Sequence, residues 1–171
     1  NYSTSEQVNN LDDIHNGIAR ECIRLVGFDD PLYIATVSDV PTSSGLGSSS
    51  SFTVGLLHAL HTINGREVSP FQLAEEASFV EIEALGNPIG KQDQYAAAFG
   101  GLNHFNFEID DRVLVDGIYS ENGFIERVFD NLLLVWTGIQ RNASDILSDQ
   151  SSKVESKINY YHALNNLVLK C

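Results

Sequence analysis

In the run Asp39 to Leu60, DVPTSSGLGSSSSFTVGLLHAL, glycines 45 and 47 are followed by four serines, Ser48 to Ser51, and then by apolar residues at helical spacing. Serine competes with the helix backbone for hydrogen bonds, and glycine carries a large backbone entropy, so neither favours a helix interior. Together they suit an anion. A strand that passes through a glycine turn into a helix presents the first unpaired amides of that helix, reinforced by its dipole, to an approaching negative group. Gly45 and Gly47 let the group reach bare backbone, and the hydroxyls of Ser48 and Ser49 can add contacts to a phosphate or to Mg²⁺. A plain serine-capped turn fits the same local pattern. The spacing is not G-x-x-x-x-G-K-[ST], since no lysine follows Gly47, nor G-x-G-x-x-G, since Ser50 occupies the third glycine's place.

The composition limits what such a turn can serve. The chain has 171 residues, 43% of them hydrophobic, and a formal net charge of −13. That length suits one domain with at most part of a second. An acidic chain repels nucleic acid and anionic membrane, so neither is an expected partner. A phosphate must then be held locally, by amides, a few cations and a divalent metal. Cys22 and Cys171 are too few for a disulfide framework or a zinc site, and a reducing, cytoplasmic setting is the default expectation. In that setting the Asn142–Ser144 sequon is a chance match. The absence of methionine, even at position 1, reads as an internal piece of a longer protein.

The elements that must position the turn follow from periodicity. Leu11, Ile14, Ile18, Cys22 and Leu25 recur at helical spacing, with Gly27 as a stop. Residues 31–40 read as a strand leading into the glycine turn. Phe52, Leu56, Leu60 and Ile63 predict a helix to about Ile63. Ser69-Pro70-Phe71-Gln72 reads as a capping box opening a helix with Leu73, Ala77, Val80 and Ala84 on one face, ending at Gly86-Asn87-Pro88. A short alanine-rich helix over 93–98 lies between glycines. LNHFNFEI and RVLVDGI pair about Asp110-Asp111, NLLLVWTG is a buried strand, and the chain is helical from Ala143. Strands and helices mix without strict alternation, which predicts an α+β fold.

Two stretches carry a resemblance. PTSSGLGSSSS, Pro41 to Ser51, resembles the P-x-x-x-G-L-G-S-S-[AGS] signature of the GHMP small-molecule kinases. EIEALGNPIGKQDQYAAAFGG, Glu81 to Gly101, resembles that family's acidic helix followed by G-N-P-x-G-x-D, with one extra residue between Gly90 and Asp93. That form, with LLLVWTGIQRNASDIL at Leu132 to Leu147, is most similar within the family to the kinases of D-glycero-D-manno-heptose 7-phosphate. The likeness covers roughly residues 10 to 150. It implies the family's N-terminal domain over 1–140, a mixed sheet with helices of the ribosomal protein S5 domain 2-like type lacking its first strands, and the first helix of a C-terminal domain over 141–171. The family's N-terminal motif and its C-terminal glycine-rich motif find no match here.

The resemblance also implies roles. Pro41, Gly45, Leu46, Gly47, Ser48, Ser49 and Ser50 would hold ATP phosphates, Ser49 and Glu81 would hold Mg²⁺, and Asp93 would stand beside the acceptor hydroxyl. A carboxylate is a weak base, so Asp93 suits orienting that hydroxyl and taking its proton late; a helix-capping carboxylate is the plainer reading. Glu75, Glu76 and Glu83 share the helix with Glu81, and only the family match separates them. Lys91, Gln92, Tyr95, Thr137, Gly138 and Arg141 are candidates for a sugar phosphate. Lys91 and Arg141 are scarce cations among 10 Lys plus Arg, and surface charge explains them equally well. Thr137 and Gly138 fit a turn, and Tyr95 fits packing. His58, His61 and His104 lack metal spacing and read as structural. The implied activity is ATP-dependent phosphorylation of the anomeric hydroxyl of heptose 7-phosphate, on the way to nucleotide-activated heptose. Two alternatives stand beside it: another acceptor (fucose, galactose or a mevalonate-type alcohol) and a non-catalytic nucleotide or sugar sensor. Oligomeric state is left open, a homodimer included.

Overall fold

A computed structural model describes residues 5–38, 45–119, 123–135 and 153–168. Helix α1 (Gly17–Val26) begins where the Asn16 side chain accepts the Ala19 amide at 3.0 Å. It ends at Gly27, whose left-handed φ of 68° lets its N–H reach Ile23 O. The expected start at Leu11 is corrected. Leu11–Asp13 form a separate 3₁₀ turn, because Asn16 caps a fresh helix and Glu6 accepts the His15 amide just before it.

Helix α2 (Ser48–Ile63) starts four residues earlier than apolar spacing marks, taking all four serines into its first turn. Helix α3 (Pro70–Ser78) opens on Ser69, which accepts the Gln72 amide at 3.1 Å. The reciprocal half of the capping box is absent, since Gln72 Nε2 donates to Glu76 instead. The helix does not continue regularly to Gly86. It widens into a π-helical segment, Phe79–Ala84, in which the Leu85 amide bonds Val80 O. The wide turn shifts the phase of the face, so Val80 stays buried while Ala84 is exposed.

Helix α4 (Gln92–Phe99) precedes strands β1 (Asn103–Phe107) and β2 (Val113–Gly117), an antiparallel hairpin in which Phe105 faces Val115. Asp111 takes φ 67° in its turn. Helices α5 (Phe124–Asp130) and α6 (Ile158–Val168) follow. The main core joins α1, α2, α3 and the π segment through Cys22, Ile23, Leu57, Leu60, Ala77 and Val80. A second cluster seats α4 and the hairpin on α3 through Ala74, Tyr95 and Val113. Among the described residues, helices with one small antiparallel sheet make the fold α+β, as expected.

Two strand expectations are corrected over the residues described, 39–40 and 136–138 lying outside them. Residues 31–38 pair with neither β1 nor β2, and Val37 is 96% exposed, while within this segment Leu32 packs on the core. Residues 132–135 are likewise neither strand nor buried, Leu133 being 87% exposed. β-branched and apolar runs become strands only when a neighbouring strand takes up their backbone groups. The domain boundary expected near residue 140 lies outside the described residues. Among those described, no helix is long and apolar enough to cross a membrane.

Candidate active site

The glycine–serine turn opens α2 without a side-chain cap. Gly45 and Gly47 have φ of 76° and 66°, left-handed values that a side chain would strain. The first bond of the helix runs from the Ser51 amide to Gly47 O at 2.9 Å, so the amides of Ser48, Ser49 and Ser50 precede the intrahelical ladder. Leu46 and Ser49 are exposed, Gly47 and Ser48 half-buried, and Ser50 buried.

Two carboxylates from different elements converge on this turn. Glu81, carried by the π segment, is only 1% exposed, and one of its oxygens accepts Ser49 Oγ at 3.0 Å. Its other oxygen, Oε1, is buried with no hydrogen-bond partner. Asp93, in the first turn of α4, is exposed and rests against Gly47: a methyl group added at Gly47 would stand 3.6 Å from Asp93 Oδ2. The acidic neighbours of Glu81 are engaged elsewhere or exposed. Glu76 pairs with the buried His61 through Nε2 at 2.7 Å, and Glu83 faces solvent.

The remaining candidates gather on the other side of α4. Lys91 Nζ lies 3.8 Å from Asp111 and 3.9 Å from Glu75, at a cleft of about 620 Å³ that Gln92, Ser78 and Phe107 also line. Tyr95 is 1% exposed; its ring stacks on Phe99 and meets Phe105 and Phe107 edge-on. Its hydroxyl donates to Glu75, and burial, aided by that carboxylate, raises the phenol above its ordinary range. Tyr95 is therefore a packing residue with one polar handle. Pro41, Thr137, Gly138 and Arg141 lie outside the described residues.

Sequence reasoning passed over two residues. Glu75 stood only among the acidic neighbours of Glu81, although Lys91 and Tyr95, four apart, share a helix face that could have pointed to a common partner. Gln94 is fully buried with both amide atoms unpartnered, a position that no local pattern marks. Among the described residues no group of three or more His, Cys, Asp or Glu could hold a metal by itself. A buried unpaired carboxylate oxygen beside a serine hydroxyl does fit a hard cation that takes few protein ligands and completes its shell with phosphate and water.

Comparison with known proteins identifies the family of the chain. Residues 13–101 match the family described as GHMP kinases N terminal domain. The chain is 35% identical over 137 residues to a D-glycero-alpha-D-manno-heptose 7-phosphate kinase of Campylobacter jejuni, covering 79% of this chain and 40% of that protein. It is 36% identical over 83 residues to a mevalonate kinase of Methanothermobacter thermautotrophicus, covering 47% of this chain and 26% of that protein. The structure is similar to that of a D-glycero-D-manno-heptose 1-phosphate kinase from Bacteriodes thetaiotaomicron, with a TM-score of 0.58 and 32% identity over 62% of this chain and 36% of that one. The chain thus spans well under half the length of these relatives. Gly47, Ser49, Glu81 and Asp93 all fall inside the matched region, and the chain belongs to the GHMP kinases.

Proposed function

We propose that this chain carries the phosphate-binding and acceptor-facing part of an ATP-dependent kinase that phosphorylates the anomeric hydroxyl of D-glycero-D-manno-heptose 7-phosphate. The observation that carries the reading is the meeting of Asp93 and the Ser49–Glu81 pair at one glycine-bared helix N-terminus. The similarity to a heptose 7-phosphate kinase over 79% of the chain supports the choice of acceptor.

In this reading the amides that open α2, together with Ser48, hold the phosphates of ATP, and Gly45 and Gly47 permit their approach. Ser49 Oγ and Glu81 Oε1 would hold Mg²⁺, which when bound supplies charge neutralisation across the phosphate oxygens. Asp93 orients the acceptor hydroxyl. As the new oxygen–phosphorus bond forms and the bond to the ADP oxygen breaks, the hydroxyl proton passes to Asp93. Lys91, at the cleft mouth, faces the 7-phosphate. Its two carboxylate neighbours also favour a second reading, in which the same site takes an unphosphorylated acceptor and Lys91 is a structural cation.

The test is ADP release by the complete gene product with Mg-ATP and a panel of heptose 7-phosphate, mannose 6-phosphate, fucose, galactose and mevalonate. Turnover on the heptose phosphate that Asp93→Asn abolishes, with a KM that Lys91→Ala raises, is expected. Turnover on a neutral acceptor, indifferent to Lys91→Ala, moves the assignment to the second reading. ATP binding without turnover on any member leaves a sensor.

A further inference from the structure

Helix α4 is held by contacts on one side of its axis and presents Asp93 on the other. Lys91, at the N-cap, and Tyr95 are four residues apart and lie on one face of the first turn, which the bond from the Tyr95 amide to Lys91 O closes at 3.1 Å. Asp93 lies between them, about 200° around the helix from Lys91, and points the opposite way, to Gly47 at the N-cap of α2. Both flanking residues meet the same side chain. Glu75 of α3 accepts the Tyr95 hydroxyl on Oε1 and lies 3.9 Å from Lys91 Nζ through Oε2. Asp111, at the hairpin turn, reaches the same ammonium at 3.8 Å.

We infer that Glu75 is a positioning residue, a clamp that fixes the roll of α4 and so aims Asp93 at the glycine turn. The inference rests on the reading of Asp93 as the acceptor-side carboxylate. Glu75 touches neither the turn nor Asp93; it acts through the two residues on either side. The lever is steep. A helix with its side chains is about 10–12 Å across, so a roll of about 10° moves a carboxylate by about 1 Å. A displacement of about 1 Å in a reacting group costs on the order of 100-fold in rate. The anchor on the α3 side is firm, since Tyr95 is buried among Phe71, Phe99, Phe105 and Phe107 and its hydroxyl has one fixed place to go.

The test uses the complete gene product with Tyr95→Phe, Glu75→Ala, their double variant and Glu75→Gln. Tyr95→Phe removes one oxygen and keeps the ring packing, so it stays informative should Glu75→Ala fail to fold. Tyr95→Phe, which leaves the Glu75–Lys91 pair in place, is expected to lower kcat about 10- to 100-fold while leaving the ATP Kd within about twofold and the acceptor KM nearly unchanged; Glu75→Ala, which also frees Lys91, is expected to lower kcat to the same degree. The double variant should be no slower than the worse single, because Glu75→Ala already cuts the link that Tyr95→Phe removes. Glu75→Gln, still able to accept the phenol hydrogen, should recover part of the loss. Multiplying losses in the double variant, a rise in KM in place of a fall in kcat for Tyr95→Phe, or a lower Tm with kcat intact would each overturn the clamp. Hydrogen exchange at the Tyr95 and Ala96 amides separates this inference from the acceptor assignment, since it needs no turnover. Faster exchange there in both single variants upholds the clamp even where no acceptor reacts. Unchanged exchange sinks it, whatever the activity.

Discussion

Gly47→Ala compared with Gly65→Ala isolates what bare backbone at the turn is for. The two glycines lie at opposite ends of α2, a helix of 16 residues and so about 24 Å long. Both hold left-handed φ, 66° at Gly47 and 68° at Gly65. An alanine forced into that region costs about 1–2 kcal/mol at either site, and about 2–4 °C in Tm per kcal/mol for a protein of this size. The stability losses should therefore match. The surroundings differ. A methyl at Gly65 meets nothing within 4 Å, whereas one at Gly47 stands 3.6 Å from Asp93 Oδ2 and 3.7 Å from its Cβ and Cγ. Those are ordinary contact distances, so the added carbon fits without a clash. It fills the gap that the transferred phosphoryl group and the acceptor hydroxyl would share. Gly47→Ala should lower kcat/KM by at least about 100-fold, or about 2.7 kcal/mol of transition-state stabilisation, and Gly65→Ala by less than about threefold. Thermal denaturation and coupled ADP release on the same preparations supply both numbers. Equal activity in the two variants would refute the placement of the reaction at Gly47, and so would a Gly47→Ala loss no larger than its loss of stability explains.

Two further predictions concern buried groups. Glu81→Gln keeps an acceptor for Ser49 Oγ and removes a nearly fully buried carboxylate whose second oxygen is unpaired. Without ligand its Tm should equal or exceed that of the parent, because an uncompensated buried charge is costly. Stabilisation by Mg-ATP, about 2.7 kcal/mol in all at 100 Kd, should lose its Mg²⁺-dependent part; a thermal shift in Mg-ATP no smaller than the parent's would defeat the metal-ligand reading. Cys22 is fully buried, and desolvation first, then Glu81 and other nearby carboxylates, pushes its thiol up to about 12. The folded protein then keeps its proton where the unfolded chain has lost it. This contribution is complete below pH about 9 and declines toward pH 12, by at most about 1.4 kcal/mol per pH unit. Urea unfolding at pH 8 and pH 10 should show that slope, and Cys22→Ala should flatten it; an unaltered slope would assign the alkaline loss to other groups.

What could be read from the sequence was the locally determined part. Gly27 ends α1, Ser69-Pro70 opens α3, and Asp110-Asp111 turns the hairpin, because each signal acts within a few residues of itself. The glycine–serine turn was legible for the same reason. Strands fared worse, since their backbone groups need a partner from elsewhere: residues 31–38 and 132–135 have strand-like composition, and among the described elements only β1 and β2 pair. The geometry of the candidate site was legible where it is set within one turn, as with Gly47 and Ser49. Glu75 and Glu81 differ only in what faces them across the fold, an aromatic hydroxyl and a lysine for one, a serine hydroxyl for the other.

Glu81 is the place where local rules and the fold disagree most sharply. By apolar spacing Val80 and Ala84 should face the core and Glu81 should pass as another acidic surface residue. Instead the helix widens into a π segment, Ala84 turns outward, and Glu81 is sealed in beside Ser49 with one oxygen unsatisfied. Each part of that arrangement is unfavourable on its own: a π turn is rare, and a buried charge with an idle lone pair destabilises the folded state. A sequence selected for stability alone would place an alanine or glutamine there. An arrangement that breaks local preference without structural gain is what the proposed site, with its stabilisation arriving with the ligand, would show. Here the idle oxygen and the serine hydroxyl are set at the mouth of a helix that offers amides to phosphate, so a cation and an anion would each offset the cost of admitting the other.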